Sequence, residues 1–145
     1  MKNQNTLTAD KNVRKIGSLI EDIKVAMMVT EDHGTLRGRP MMSQEMDFDG
    51  NLWFFSNDHA AKTDEIAHTH AVQLSYAEPR KNTYISISGV ADIVHDRDKA
   101  AQLWKPAYKS WFPDGLNDPR LALIRVRATQ AEYWDGPTFQ KVNLS

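Results

Sequence analysis

Apolar positions along this chain recur with two periods, one helical and one alternating, and the switches between them mark its elements. From Thr8 to Lys24, Val13, Ile16, Leu19, Ile20 and Ile23 fall at helical spacing, with Thr8 or Asp10 placed to cap the start. Val25 to Thr30 is a short apolar run suited to a buried strand. Asp32-His33-Gly34 is a turn signal leading into a strand from Gly38 to Asp47. Asp49-Gly50 between apolar runs predicts a hairpin whose return strand is Asn51 to Ser56.

Further on, Asp58 to Thr69 reads as a helix capped by Asn57 or Asp58. Ala71 to Ala77 reads as a strand and Glu78 to Asn82 as a polar turn. Thr83 to His95 alternates, is rich in β-branched residues and carries Gly89 as a bulge. Asp96 to Tyr108 is expected to be a helix crossed by Pro106, and Trp111 to Gly115 a loop. Leu121 to Gln130 is a long strand that Glu132-Tyr133-Trp134 extends. Six or seven strands joined mainly by hairpins, with three peripheral helices, predict a mainly β fold. The arrangement is an antiparallel β-barrel rather than a parallel doubly wound sheet.

Composition narrows the classes. The 145 residues show no internal repeat or low-complexity linker, so a single domain over 1–145 is expected. A net charge of −1 argues against a nucleic-acid partner. No apolar run approaches the roughly 20 residues of a membrane span, and Met1 to Asp10 is polar, unlike a secretory signal. With no cysteine there is no disulfide framework, thiol nucleophile or cysteine-based metal site, and a cytoplasmic location fits. His68 and His70 lie about 200° apart on a helix, so they cannot share an ion there, and no metal is expected. Gly-x-Ser-x-Gly is absent.

The chemistry concentrates between Arg39 and Lys62. A first-turn lysine opposes the positive end of the helix dipole, and an anion held between Lys62 and the helix start would remove that conflict. On the predicted hairpin, Ser43 would pair with Ser56. Arg39 would then lie on the same face about 13 Å away, at roughly 3.3 Å per residue. That spread suits an elongated phosphorylated ligand. Read singly, Arg39 and Lys62 are better taken as solvated surface charges and Ser56 as a strand terminus; only their joint arrangement with a helix N-terminus brings the two readings near even, and geometry alone stops there.

The segment Arg39-Pro40-Met41-Met42, then Asp49 to Ser56, then Lys62 resembles the flavin-binding split-barrel family of pyridoxamine 5′-phosphate oxidase. Trp104-Lys105-Pro106, Trp111-Phe112-Pro113-Asp114-Gly115, Asp118-Pro119 and Glu132 to Asp135 are similar to its general stress protein 26 branch. The resemblance implies a split β-barrel of Greek-key-like order and a homodimer with FMN at the subunit interface. It implies that Arg39, Pro40, Met41, Met42 and Ser43 line the ribityl chain and isoalloxazine. Phe55 and Ser56 would contact the ribityl-phosphate, Lys62 would contact the phosphate, and Trp104 or Trp111 would cover the ring from the partner subunit.

Three departures qualify that pattern. Ala61 stands where the oxidases carry a second basic residue, which implies weaker FMN binding. Tyr84 stands where they place a glutamine. The substrate motif Arg-Leu-His-Asp-Arg does not follow Trp134, so vitamin B6 oxidation is not expected. The resemblance therefore implies a flavin-dependent oxidoreductase of unknown substrate, with NAD(P)H as a possible donor. The alternatives are a non-catalytic flavin carrier or stress sensor and, ranked last, a haem or deazaflavin protein.

Overall fold

The computed structural model describes residues 4–44, 48–57, 66 and 70–144, with side chains from Lys11 onward. Helix α1 (Gln4–Ile23) begins four residues before the predicted start and presents Ile16 and Ile20 to the core, both buried. It ends sharply at Lys24, whose N–H still bonds the Ile20 carbonyl at 2.8 Å while its φ of 73° turns the chain out of the helix. Among the described residues, Lys15 pairs α1 with Asp135 at the end of a later strand at 2.5 Å, and Asp22 pairs it with Lys81 in a 3-10 turn at 2.6 Å.

β1 (Val25–Asp32) and β2 (Thr35–Met42) form the first hairpin, turning at His33-Gly34, where both residues have positive φ (50° and 86°). That backbone matches the right-handed twist of the flanking strands, as a two-residue hairpin requires. β3 (Asn51–Asn57), β4 (Ala71–Glu78), β5 (Thr83–Val94), β6 (Leu121–Asp135) and β7 (Thr138–Asn143) complete a seven-stranded antiparallel sheet. Its order is β2-β1-β4-β5-β6-β3, with β7 also on β6.

The sheet divides along β6. One edge of β6 pairs with β5; on the other, Leu121 to Arg127 pair with β3 and Gln130 to Asp135 pair with β7. The register slips between Ser88 and Gly89, leaving Thr129 as the extra residue of β6. A Cβ at Gly89 would sit 2.7 Å from the Arg127 carbonyl oxygen, so the bulge needs glycine for close backbone approach. The bulge at Gly89 is thus as the sequence predicts.

Side chains alternate across the strands, so Met28, Phe54, Leu74, Ile87, Ile124 and Val126 meet in one fully buried core. α2 (Arg97–Leu103) covers the opposite face of β6 through Ala100 and Leu103, which pack on Leu123. Asp96 caps it by accepting from the Lys99 N–H at 3.0 Å.

Three expectations change. The predicted helix from Asp96 to Tyr108 stops at Leu103; Trp104 and Lys105 are extended ahead of Pro106, as steric clash with the proline ring demands. A short 3-10 turn, Pro106–Ser110, follows. The tail after Pro137 forms β7, a strand the sequence reading leaves out. Most consequentially, the register expected for the Asp49-Gly50 hairpin changes: residues 45–47 lie outside the described residues, and Gln44 bonds to the Trp53 carbonyl at 3.0 Å. β2 ends at Met42 and its ladder runs to β1, while β3 pairs with β6, Ser56 opposite Ala122. The turn chemistry is present, since Asp49 Oδ1 accepts from the Asn51 N–H at 3.0 Å and Gly50 has φ 104°. It starts β3.

Ile66 is helical and fully buried, and the rest of the helix predicted from Asp58 to Thr69 lies outside the described residues. Among the described residues no helix is long and apolar enough to cross a membrane.

Candidate functional site

A cleft of about 710 Å³ opens where the end of β2, the end of β3 and the loop after α2 converge. The first wall is Val25 with Pro40, Met41, Met42 and Gln44. Pro40 sits on an edge strand opposite Met27, a place where a missing N–H leaves no ladder bond unmade. The second wall is Phe55, Ser56 and Asn57 at the end of β3, and the third is Tyr108, Ser110, Trp111 and Phe112. None of these side chains is charged.

The split in the barrel is bridged at Gln44. Its backbone N–H donates to the Trp53 carbonyl at 3.0 Å, linking the chain beyond β2 to β3. Its side-chain oxygen accepts from the Tyr108 hydroxyl at 2.8 Å, tying the first wall to the third. Tyr108 is buried and fixed by its neighbours. Phe55 lies 5.3 Å away centroid to centroid, Trp104 meets it edge-on at 5.7 Å, and Trp111 stacks on it at 5.8 Å with planes 28° apart. Trp111 is nevertheless 64% exposed.

The residues singled out from sequence are placed as follows. Pro40, Met41, Met42, Phe55, Ser56 and Trp111 share this cleft. Arg39 sits one turn of the pleat away, opposite Met28, and donates to the Thr30 hydroxyl at 2.7 Å. Ser43 is buried outside the cleft with its hydroxyl 2.5 Å from that of Tyr76. Burial pushes the Tyr76 phenol up to about 12, against the smaller downward pull of the Ser43 hydrogen bond. The expected pairing of Ser43 with Ser56 is overturned, because the next residue, Gln44, bonds to the Trp53 carbonyl, three residues short of Ser56, which sits on β3 opposite Ala122 of β6. Trp104 stands behind the wall, packed edge-on against Phe55 at 5.9 Å. Ala61 and Lys62 lie outside the described residues.

Gln44, Tyr108 and Phe112 are wall residues that the sequence reading did not name. Phe112 sits inside the quoted Trp-Phe-Pro run, so a signal existed for it. Tyr108 fell in a predicted helix, and only the break before Pro106 turns it toward Gln44. Among the described residues no group of three histidine, aspartate or glutamate side chains could hold a metal ion.

A mainly β split barrel with an aromatic-lined cleft at its seam defines the class, and comparison gives its family. Residues 11–144 match the family described as pyridoxamine 5′-phosphate oxidase like, and the chain belongs to that family. It is similar to Protein bli-3 of Neurospora crassa, with 31% identity over 135 residues covering 86% of this chain. The match spans 65% of that curated relative, just under two thirds of its length.

Solved structures share the fold. A protein related to general stress protein 26 from Clostridium acetobutylicum superposes with a TM-score of 0.79 at 20% identity, covering 93% of this chain and 96% of that one. A general stress FMN/FAD binding protein from Xanthomonas citri gives 0.77 at 25% identity, covering 88% and 92%.

Proposed function

We propose that this chain is an FMN-binding general stress protein of the 26 branch, a flavin-dependent oxidoreductase working as a homodimer in the cytoplasm. The observation that carries the reading is the gathering of Pro40, Met41, Met42, Phe55, Ser56 and Trp111 around one cleft. These six come from distant parts of the chain and were singled out for FMN on resemblance alone. The lining chemistry fits: a flat, uncharged, hydrogen-bonding ring meets methionine, proline and aromatic side chains with a few amides and hydroxyls. The name of the Xanthomonas citri neighbour, an FMN/FAD binding protein, supports the same ligand.

In this reading Arg39 to Met42 run along the ribityl chain and ring. Ser43 contributes through its backbone, its hydroxyl being engaged by Tyr76. Phe55 and Ser56 contact the ribityl-phosphate, Lys62 holds the phosphate, and Ala61 contributes no charge. Trp111 covers the ring, and Trp104 supports Phe55 from behind. The bound flavin supplies the redox chemistry, with NADH or NADPH as donor, while the protein supplies position and a dry surface.

The dimer is supported by a row of apolar side chains across the outer face of the sheet. Met42 faces Val25, Ala77 faces Tyr84, Tyr84 faces Trp134 and Trp134 faces Phe139, all exposed. The β1–β4 register, which pairs Ala26 with Tyr76, brings Val25 level with Ala77 and joins the two halves. Monomeric proteins rarely expose so long an apolar stripe, and this one runs into the cleft at Val25 and Met42.

The test is the visible spectrum of the purified protein followed by anaerobic NADH or NADPH. Flavin bands that bleach are expected. A Soret band or a colourless protein that takes up no FMN would sink the flavin reading, and flavin that neither donor bleaches would leave a carrier or sensor.

A further inference from the structure

Gln44 joins all three walls of the cleft, and its backbone and side chain are held separately. The backbone N–H closes the seam on the Trp53 carbonyl at 3.0 Å, and the residue before it, Ser43, is anchored on the Lys24 carbonyl at 2.9 Å. The side chain therefore leaves a fixed point. Its amide is oriented as well. Nε2 donates to the Met42 carbonyl at 3.3 Å, which turns Oε1 across the cleft to accept from the Tyr108 hydroxyl at 2.8 Å.

The rest of the third wall hangs on Tyr108. The Trp111 and Phe112 N–H groups both donate to the Tyr108 carbonyl, each at 3.0 Å, and the Trp111 indole stacks on the Tyr108 ring. Phe55 and Trp104 pack against that same ring. Aromatic pairs of this kind are favourable over a broad range of centroid separations, about 4.5–7 Å, so packing alone lets the ring slide and tilt. A hydrogen bond is less forgiving, because it weakens steeply away from linear geometry. The hydroxyl at the tip of the ring is thus what fixes the plane on which Trp111 rests. Trp111 is itself mostly exposed and takes its position from Tyr108 rather than from a socket of its own.

We propose that Gln44 is the positioning residue of this cleft: by accepting the Tyr108 hydrogen bond it holds the Trp111 indole in place for the flavin ring, and FMN affinity depends on that bond. The inference rests on the flavin reading, in which Trp111 covers the ring. With the bond made, the third wall is ordered before FMN arrives. Without it, part of the binding energy goes into ordering the wall, and the apparent affinity falls with the fraction of protein in the competent arrangement.

The test is a set of variants titrated with FMN by fluorescence. Tyr108→Phe removes only the hydroxyl, and Gln44→Met keeps the side-chain length while removing the acceptor. The third variant combines the two, and Tyr108→Phe is also made on a Trp111→Ala background. All leave the backbone bond from Gln44 to Trp53 available, and circular dichroism verifies the fold of each. Each of the first two changes is expected to weaken FMN about three- to tenfold, the value of one net hydrogen bond. The combined variant should lose no more than the worse of the two, because both changes break the same bond. On the Trp111→Ala background the hydroxyl should no longer matter, a result that general loosening of the barrel would not produce.

Protein that binds FMN with an affinity unchanged by either Tyr108→Phe or Gln44→Met overturns the inference and leaves the flavin reading intact. So do losses that add in the combined variant, or a Tyr108→Phe loss that persists without the Trp111 indole. Parent protein that takes up no FMN overturns both.

Discussion

Lys62 opposes its own helix dipole if it stands in a first turn, and the proposed phosphate is what would reconcile it. Lys62→Ala should loosen FMN by about 1.5–3 kcal/mol, the value of a hydrogen bond to a charged group. Fluorescence titration with FMN measures it, and an unchanged affinity would show that this lysine does not hold the phosphate. Tyr76 gives a second test at the same scale, through pH. Its phenol is raised from 10.0 to about 12 by burial, so the folded state keeps a proton that the unfolded chain releases. The associated stability is complete below pH 10 and is lost as the pH rises toward 12. At ~1.4 kcal/mol per unit it amounts to about 3 kcal/mol. Urea denaturation of the parent and of Tyr76→Phe should show their stability difference falling by about that amount over this interval. A constant difference would mean that Tyr76 ionises in the fold as freely as in water.

Strands and helices were legible where a period ran uninterrupted, and less so where a single residue decided the ending. The spacing of Ile16, Leu19, Ile20 and Ile23 located α1, and the β-branched alternation from Thr83 located β5 with its bulge at Gly89. Gly89 is the element-scale test. A Cβ there would meet Val126 Cγ1 at 2.9 Å as well as the Arg127 oxygen, and neither the strand backbone nor the packed valine can retreat freely. Gly89→Ala should cost about 1–3 kcal/mol, as overpacking does, read from denaturant midpoints. A neutral result would show that the β5–β6 bulge can open. The end of α2 was misread because apolar spacing continues through Trp104 to Tyr108, whereas the proline ring at Pro106 forbids the helical backbone just before it. β7 was missed because its residues Thr138 to Asn143 are exposed except for Val142, so no alternation announces them. It exists through pairing with β6.

At the scale of the whole molecule, the outward row from Met42 to Phe139 is proposed as the dimer surface. Trp134→Glu tests it without threatening the monomer core, since Trp134 is already 39% exposed and points away from that core. The expected result is a monomer by analytical ultracentrifugation, with a folded circular dichroism spectrum and reduced FMN retention. A dimer of parental affinity would place the interface elsewhere. The sequence by itself determined the mainly β class, the barrel and half of the described residues around the cleft. Alternation, turn residues and the Arg-Pro-Met and Trp-Phe-Pro segments are local signals, written in consecutive residues. Pairing is not local. β2 has its ladder on β1 across His33-Gly34, and β3 has one on β6, some seventy residues away by number. Only the tertiary structure could decide the β3–β6 ladder, because a strand edge bonds whichever matched edge the whole sheet leaves open. The same choice bridged the seam at Gln44, brought Tyr108 to it, and left Trp111 facing the cleft.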